Sequence, residues 1–241
     1  MMRSRPLFDI FQQGVERIVE KRLSSSMSVR AGESPQAYMS RFDKARTLNL
    51  ADDKFTMNNS FTIARSCRIR GSGDTTVLDA SNAALSGSGY VLKITADNVV
   101  VENLRIVGDS IANGIQVTGN DVTIRNVTIE SCAKSVVVSG STGFCVSGCV
   151  IKSSVDRAIH VTAASQDGRI NDNEIAIPSA AGPPSSVLLD SGVRNVAITG
   201  NTVERTGVIE MTNTGGAQAY NAPGAHGNIA VGNSAAVTEH T

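Results

Sequence analysis

The sequence is poor in several residue types that soluble domains use to fold and to bind ligands. It has no tryptophan, 4 % aromatic residues and 18 % charged residues, against roughly 25 % charged residues in an average soluble domain. Its formal net charge is +0 and it has no long basic or acidic run, so nothing favours a nucleic acid or an anionic membrane as partner. Sugar rings commonly rest on aromatic faces, so a sugar site built by stacking is disfavoured as well.

Long apolar segments are also missing. No stretch approaches the roughly 18 apolar residues of a membrane-spanning helix, and polar residues at positions 9–13 interrupt the apolar core that a signal peptide needs. We therefore expect synthesis in a host cytoplasm and no membrane span. The cysteines show no zinc-type spacing with histidine, so we expect reduced core or surface residues, with no metal and no cofactor. They are Cys67, Cys132, Cys145 and Cys149.

A short pattern recurs along the chain: an apolar residue, two polar or small residues, a variable position, any residue, and a second apolar residue. The copies begin at Ala64, Val101, Ile124, Val146, Ile170, Ile198 and Val231. Their apolar positions follow the two-residue period of a strand, not the period of a helix. Successive starts differ by 22 to 37 residues. This repeat predicts a solenoid of stacked strands with loops of variable length between them.

A second family of strands lies between these copies. Its members are Gly114–Val117, Ser135–Val138, Ala158–Val161 and Ser186–Leu189. Alternation within the strands predicts an inward apolar set and an outward set. The inward residues are Ile115, Val117, Val136, Val138, Ile159, Val161, Val187 and Leu189. The outward residues are Gln116, Val137, His160 and Leu188. Each coil of the solenoid should therefore contain at least two strands, joined by Gly, Asn, Ser and Asp turns.

The variable position of the first repeat forms a column if the coils stack about 4.8 Å apart. The column reads Cys67, Leu104, Val127, Cys149, Asn173, Asn201 and Ser234. Val127 and Cys149 should then stack inside the core. Asn173 and Asn201 either form an amide ladder from coil to coil or are ordinary turn asparagines.

Several segments together resemble one known architecture. These are residues 61–81 (FTIARSCRIRGSGDTTVLDAS) and the repeats NVVVENLRI, DVTIRNVTI and VAITGNTVE. They resemble the pectate-lyase-like right-handed parallel β-helix superfamily, an architecture shared by bacteriophage tailspikes. The resemblance covers roughly residues 45–237. It implies an all-β, single-stranded right-handed parallel β-helix of about seven coils. It implies little about function, because the fold hosts lyases, hydrolases, epimerases, adhesins and virion parts.

The chain divides into an N-terminal helical cap or attachment segment with a linker, 1–48, and a β-helix domain, 49–241. The apolar residues of the first predicted helix recur at helical spacing on one face. They are Phe8, Phe11, Val15 and Ile18. This face either packs on the first coil or binds neighbouring subunits or another particle protein. Residues 24–35 read as a linker, and 36–47 as a second short helix.

An active site is not evident. Hydrolases of this kind need two or three carboxylates at set separations, and lyases need a basic group or a Ca²⁺ cluster. The outward residues of the second strand family include no carboxylate. Asp156, His160 and Asp190 are the one constellation that can be assembled. They are either a weak catalytic candidate or turn and solvated polar residues.

Val137 and Leu188 would form an apolar stripe on the outside of the solenoid, and such a stripe is expected to be covered. Three copies packed around an axis would cover it, and so would a loop of the same chain. We therefore expect a noncatalytic, tail-associated and trimeric component of a phage virion, bound to other tail proteins. The alternative is a tailspike enzyme, a lyase or glycoside hydrolase, or a binder that acts on host surface polysaccharide.

Overall fold

The computed structural model describes residues 26–41, 46–82, 85, 89–152, 154–162, 164–176, 185–203, 208–212, 228–233 and 236–240. Strands dominate these residues, and they contain a single short helix, α1 (Pro35–Arg41). Each strand pairs in parallel with the equivalent strand of the next coil. The chain is therefore a right-handed parallel β-helix, as the repeat predicts.

Three faces, which we call a, b and c, surround the core. Face a contains β1 (Ser26–Val29), β2 (Thr47–Leu50), β5 (Arg68–Arg70), β12 (Cys145–Ser147), β15 (Arg169–Asn171), β18 (Ala197–Thr199), β21 (Ile229–Val231) and the first halves of β8 (Val100–Val107) and β10 (Thr123–Glu130). Face b contains β3 (Lys54–Thr56), β6 (Val77–Asp79), β13 (Val150–Lys152), β16 (Glu174–Ala176), β19 (Thr202–Val203) and the second halves of β8 and β10. Face c contains β4 (Phe61–Ile63), β7 (Tyr90–Ile94), β9 (Asn113–Val117), β11 (Lys134–Val138), β14 (Arg157–Val161), β17 (Ser185–Leu189), β20 (Val208–Thr212) and β22 (Ala236–His240).

The register agrees with the predicted repeat in the middle of the chain and differs from it at both ends. Val101, Ile124, Val146, Ile170 and Ile198 are paired in succession. In contrast, the residue paired with Val101 in the preceding coil is Ile69, and the residue paired with Ile198 in the following coil is Ala230. The copies predicted to begin at Ala64 and Val231 are therefore out of register by five residues and by one residue.

Two corners of the coil are each formed at one residue with positive φ. At the corner from face a to face b these residues are Asn103, Asn126, Gly148, Asp172, Gly200 and Gly232. At the corner from face c to face a they are Asn98, Asp121, Gly143, Asp167 and Asn195. Asn, Asp and Gly tolerate this left-handed conformation best. Their recurrence explains why the repeats are punctuated by these three residue types.

The core confirms the predicted inward set on face c. These eight residues are at most 1 % exposed. Just after the corner from face a to face b, Leu104, Val127 and Cys149 stack as predicted and are buried. Asn173 and Asn201 continue that column and form the predicted amide ladder: Asn173 Nδ2 donates to Asn201 Oδ1 at 2.8 Å. Asn201 Nδ2 donates to Asn233 Oδ1 at 2.8 Å. Asn233, not Ser234, is thus the last described member, and Cys67 lies outside this column.

A second core column contains one large residue next to one with no side chain. Phe144 is 2 % exposed, and its ring lies over Gly168 of the following coil. A Cβ placed on Gly168 would overlap the Cζ and Cε atoms of the Phe144 ring. The volume of the phenyl ring is therefore accommodated by the glycine, as close packing of the interior requires.

The N-terminal end of the solenoid lies earlier in the chain than predicted. Ser26–Val29, expected to be linker, is strand β1 and pairs with β2, so the sheet begins before residue 49. Helix α1 packs against β4, where Gln36 Oε1 accepts a hydrogen bond from the edge amide of Thr62 at 2.7 Å. Met39 enters the core cluster at 8 % exposure. The predicted helix with Phe8, Phe11, Val15 and Ile18 lies outside the described residues.

Candidate functional site

Face c brings together two of the three residues that the sequence proposed for chemistry. His160 Nε2 lies 3.0 Å from Asp190 Oδ1, one coil further on. Asp156 is bound elsewhere: its carboxylate contacts Arg157 Nη1 at 2.6 Å and Lys134 Nζ at 3.5 Å. The second ring nitrogen of His160, Nδ1, is buried and without a hydrogen-bond partner in the structure. The pair is therefore held in a structural contact, with no ring nitrogen presented to solvent.

The apolar stripe expected on the outside of face c is not exposed. Val137 is 5 % exposed and Leu188 is 8 % exposed in the single chain, so covering them does not require neighbouring subunits. The interface role of these two residues stays a prediction, without the support of an exposed patch. The backbone register pairs Leu188 with Glu210, a residue that the sequence pattern had not placed on this face.

Face a carries a cluster of charges that the sequence pattern did not reveal. On β5 the buried Ile69 points into the core, so Arg68 and Arg70 point outward by strand alternation. The same alternation turns Glu102 on β8 and Arg125 on β10 outward. The register pairs Arg70 with Glu102 and Glu102 with Arg125. Three consecutive coils thus present arginine, glutamate and arginine side by side, with Arg68 next to them.

The four side chains form one ionic cluster, which we call the arginine cluster. Arg125 donates to Glu102 Oε2 from Nε at 2.7 Å and contacts the same oxygen with Nη2 at 2.5 Å. The Nε atoms of Arg68 and Arg70 lie 3.7 and 3.9 Å from Glu102 Oε1. The Glu102 side chain is 5 % exposed, whereas the three arginines are 44–56 % exposed. The buried carboxylate is thus covered by solvent-accessible guanidinium groups.

The arginine cluster has the chemistry of an anion site. Three cations and one carboxylate leave a local charge of +2. Distances of 3.7 and 3.9 Å are too long for hydrogen bonds, so Arg68 and Arg70 attract Glu102 without donating to it from Nε. Guanidinium groups bind carboxylate and sulfate oxygens in a fork geometry. The cluster can therefore bind an oxyanion, but it has no carboxylate pair for acid–base cleavage of a glycosidic bond.

A correct register of the first repeat would have revealed this cluster from the sequence. Its outward residues stand in the motifs Arg68-Ile-Arg70, Val101-Glu-Asn103 and Ile124-Arg-Asn126. In each motif the residue beside the inward apolar position is charged. Asp156, His160 and Asp190, by contrast, lie in or beside the second strand family, which forms face c.

The fold and this exposed parallel face define a β-helix protein. Its residues 26–177, more than half of the chain, match a family model described as "Periplasmic copper-binding protein (NosD)". The chain belongs to the NosD family. No curated protein matches it.

Solved structures of the same fold include enzymes that act on glycans. The catalytic domain of a GH87 alpha-1,3-glucanase, with one aspartate replaced by alanine and in complex with nigerose, has a TM-score of 0.59 at 17 % identity, over 90 % of this chain and 45 % of that chain. This chain thus spans about half of that domain. An alginate lyase from Paenibacillus sp. str. FPU-7 has a TM-score of 0.59 at 16 % identity, over 90 % and 97 %. At these identities the likeness shows the fold alone. "Geobacillus virus E2 - ORF18" matches at a TM-score of 0.44 and 9 % identity, over 99 % and 66 %, too distant to bear on function.

The described residues do not fit a copper site. They contain no group of three or more His, Cys, Asp and Glu side chains placed to hold a metal ion. Burial raises the pKa of the Cys132 and Cys149 thiols to about 12, so neither is readily available as a thiolate ligand. His160 is engaged by Asp190. Within the same residues, no helix has the length and apolar character to cross a membrane.

Proposed function

We propose that this chain is a noncatalytic β-helix that binds an acidic polysaccharide on face a. The observation that carries the proposal is the convergence of Arg68, Arg70 and Arg125 around Glu102 on an outward sheet face. Recognition by charge requires no aromatic platform, which agrees with the absence of tryptophan. The net charge of zero argues against a general affinity for polyanions, so binding should depend on this local cluster.

A binding titration tests the proposal. Alginate, the polymer after which the structurally similar lyase is named, is a polyuronate and is the first polymer to use, with a neutral glucan as comparison. We expect alginate oligosaccharides to bind, the glucan not to bind, and the affinity to fall with added salt. Arg70→Gln should weaken binding about fivefold to tenfold, the effect of one lost charge-assisted contact.

Lys152→Gln is the matched control, because Lys152 is an exposed cation on face b. It removes the same charge from the chain as Arg70→Gln but leaves the arginine cluster intact. Equal losses in the two variants would show that net charge governs binding. Equal affinity for alginate and for the neutral glucan would refute the proposal that the arginine cluster recognises an acidic polysaccharide.

The noncatalytic part of the proposal has its own test. On face c, Asp156 is neutralised by Lys134 and Arg157, and His160 is held by Asp190. We therefore expect no new reducing ends and no unsaturated products after prolonged incubation with alginate. Product formation that disappears in Asp190→Ala would contradict this and would assign the chemistry to face c.

We further propose that this binding serves a bacteriophage particle, in which the chain is a trimeric tail component made in the host cytoplasm. Support comes from the resemblance of residues 61–81 and the later repeats to tailspike-type β-helices. The predicted helix with Phe8 and Phe11 would attach the chain to other tail proteins. Light scattering after size-exclusion chromatography should give about three times the chain mass of 25.2 kDa. A stable monomer at high concentration would rule out the trimer.

A further inference from the structure

Glu102 is the most buried member of the arginine cluster and lies at its centre. Its side chain is 5 % exposed, and both carboxylate oxygens face guanidinium groups: Oε2 faces Arg125, and Oε1 faces Arg68 and Arg70. A buried carboxylate is retained only where cations and hydrogen bonds compensate its lost hydration. Glu102 therefore belongs to the folded framework of the cluster and is not a group presented to a ligand.

The three arginines have different relations to Glu102. Arg125 contacts Oε2 with two nitrogens, at 2.7 and 2.5 Å, and this double contact fixes its guanidinium plane. Arg68 and Arg70 approach Oε1 only to 3.7 and 3.9 Å, beyond hydrogen-bond distance. Arg68 and Arg70 are thus oriented by attraction and remain able to bind an external oxyanion.

We infer that Glu102 is a built-in counter-ion that orients Arg68 and Arg70 and, at the same time, limits the affinity of the cluster for oxyanions. In this role it is a specificity-determining residue: it reduces the local charge from +3 to +2. A ligand with a single negative charge then binds weakly, and a polymer that offers several anions is favoured. Where the ligand is taken to be an acidic polysaccharide, the inference rests on the function proposed above.

The substitution Glu102→Gln tests this role directly. Glutamine retains the shape and an oxygen acceptor for Arg125 but removes the negative charge. An oxyanion of unit charge about 8 Å from the carboxylate, at an effective dielectric constant of about 40, is repelled by an amount equivalent to roughly fivefold in affinity, and the doubly charged sulfate ion by roughly thirtyfold. We therefore expect Glu102→Gln to bind alginate oligosaccharides roughly fivefold and inorganic sulfate roughly thirtyfold more tightly than the wild type. Unchanged or weaker binding of both probes by the folded variant would overturn the inference.

The two probes separate this inference from the proposed function. Sulfate that binds more tightly to Glu102→Gln, with no binding of alginate to either protein, would retain the counter-ion role and refute the polysaccharide function. Alginate that binds the wild type, while neither alginate nor sulfate binds the variant more tightly, would retain the polysaccharide function and refute the counter-ion role. Glu102→Asp, which retains the charge, should gain no affinity for either probe, and a gain as large as that of Glu102→Gln would contradict the electrostatic explanation.

A measurement on the wild type keeps the inference testable if Glu102→Gln does not fold. The ¹⁵Nε–H resonances of the arginine side chains report separately on Arg125, which is hydrogen-bonded to Glu102, and on Arg68 and Arg70, which are not. On titration with sulfate, the signals of Arg68 and Arg70 should shift, and that of Arg125 should stay near its starting position because its Nε–H remains bonded to Glu102. If the Arg125 signal shifted as far as those of Arg68 and Arg70, the distinction between a fixed Arg125 and two ligand-binding arginines would be refuted.

Discussion

The amide ladder offers the sharpest test of how the solenoid is stabilised. Asn173 is 1 % exposed. Its Oδ1 accepts the backbone N–H of Cys149 at 3.0 Å, and its Nδ2 donates to the Val146 carbonyl at 3.1 Å and to Asn201 Oδ1 at 2.8 Å. Asn173→Ala removes all three bonds at once. The side chain thus joins the coil before it to the coil after it.

The cost of this substitution can be estimated from the groups left without partners. The buried Cys149 N–H loses its acceptor, which costs about 1–3 kcal/mol. The cavity left by the missing amide adds about 1 kcal/mol. We therefore expect Asn173→Ala to lower the free energy of unfolding by about 2–4 kcal/mol, a large part of the roughly 5–15 kcal/mol typical of a folded domain.

Urea unfolding followed by circular dichroism measures this loss, and Asn171→Ala is the matched control. Asn171 lies two residues away in the same coil, and its side-chain amide donates to Asp172 on the surface, at 2.8 Å. Its removal should change the free energy of unfolding by less than about 0.5 kcal/mol. If both variants lost the same small amount, the ladder would not be a stabilising element.

Two further predictions concern the core. Gly168→Ala should lower the free energy of unfolding by about 1–3 kcal/mol, because its Cβ would overlap the Phe144 ring; a neutral substitution would show that the ring can move aside. Burial raises the pKa of the Cys132 and Cys149 thiols from 9.0 to about 12, so the unfolded chain releases these protons first. The contribution of the two protonated thiols to the free energy of unfolding is therefore complete below about pH 9, and it is lost as the pH rises to about 12. The urea concentration at the midpoint of unfolding should decrease as the pH is raised from about 8 to about 10.5. The decrease should be smaller in a variant with alanine at both positions. An equal decrease in the two proteins would refute the assignment of this pH dependence to Cys132 and Cys149.

The central coils could be predicted from the sequence because their spacing is short and their strands alternate regularly. Between Val101 and Ile198 every predicted pairing is confirmed. At the ends, loops of different length separate the strands, so the spacing alone does not determine the register. The pattern beginning at Ala64 satisfies the apolar rule, whereas the true start, Ile69, is followed five residues later by Asp74. The second apolar position of that coil is Leu78, which pairs with Ile106. Only the backbone pairing of Ile69 with Val101 distinguishes them.

The predicted register also places an arginine beside Glu102, but it is a different one. With the first repeat starting at Ala64, Arg65 would fall beside Glu102, and Arg68 would fall beside Arg105 of face b. With the observed register, Arg70 pairs with Glu102. The cluster joins residues from three coils, and no local motif shows it. Conversely, Asp156, His160 and Asp190 all lie along the second strand family, but the structure joins only two of them. Asp156 contacts Lys134 of the preceding coil, whereas His160 contacts Asp190 of the following coil.

Arginine-selective labelling, read out by mass spectrometry with and without alginate oligosaccharide, tests most directly where a ligand binds. The account predicts that ligand protects Arg68 and Arg70, which are 45 % and 56 % exposed in the free chain, and leaves Arg194, at the turn that leads into β18, as reactive as before. Binding that protects no arginine of face a, or that protects residues of face c instead, would contradict it.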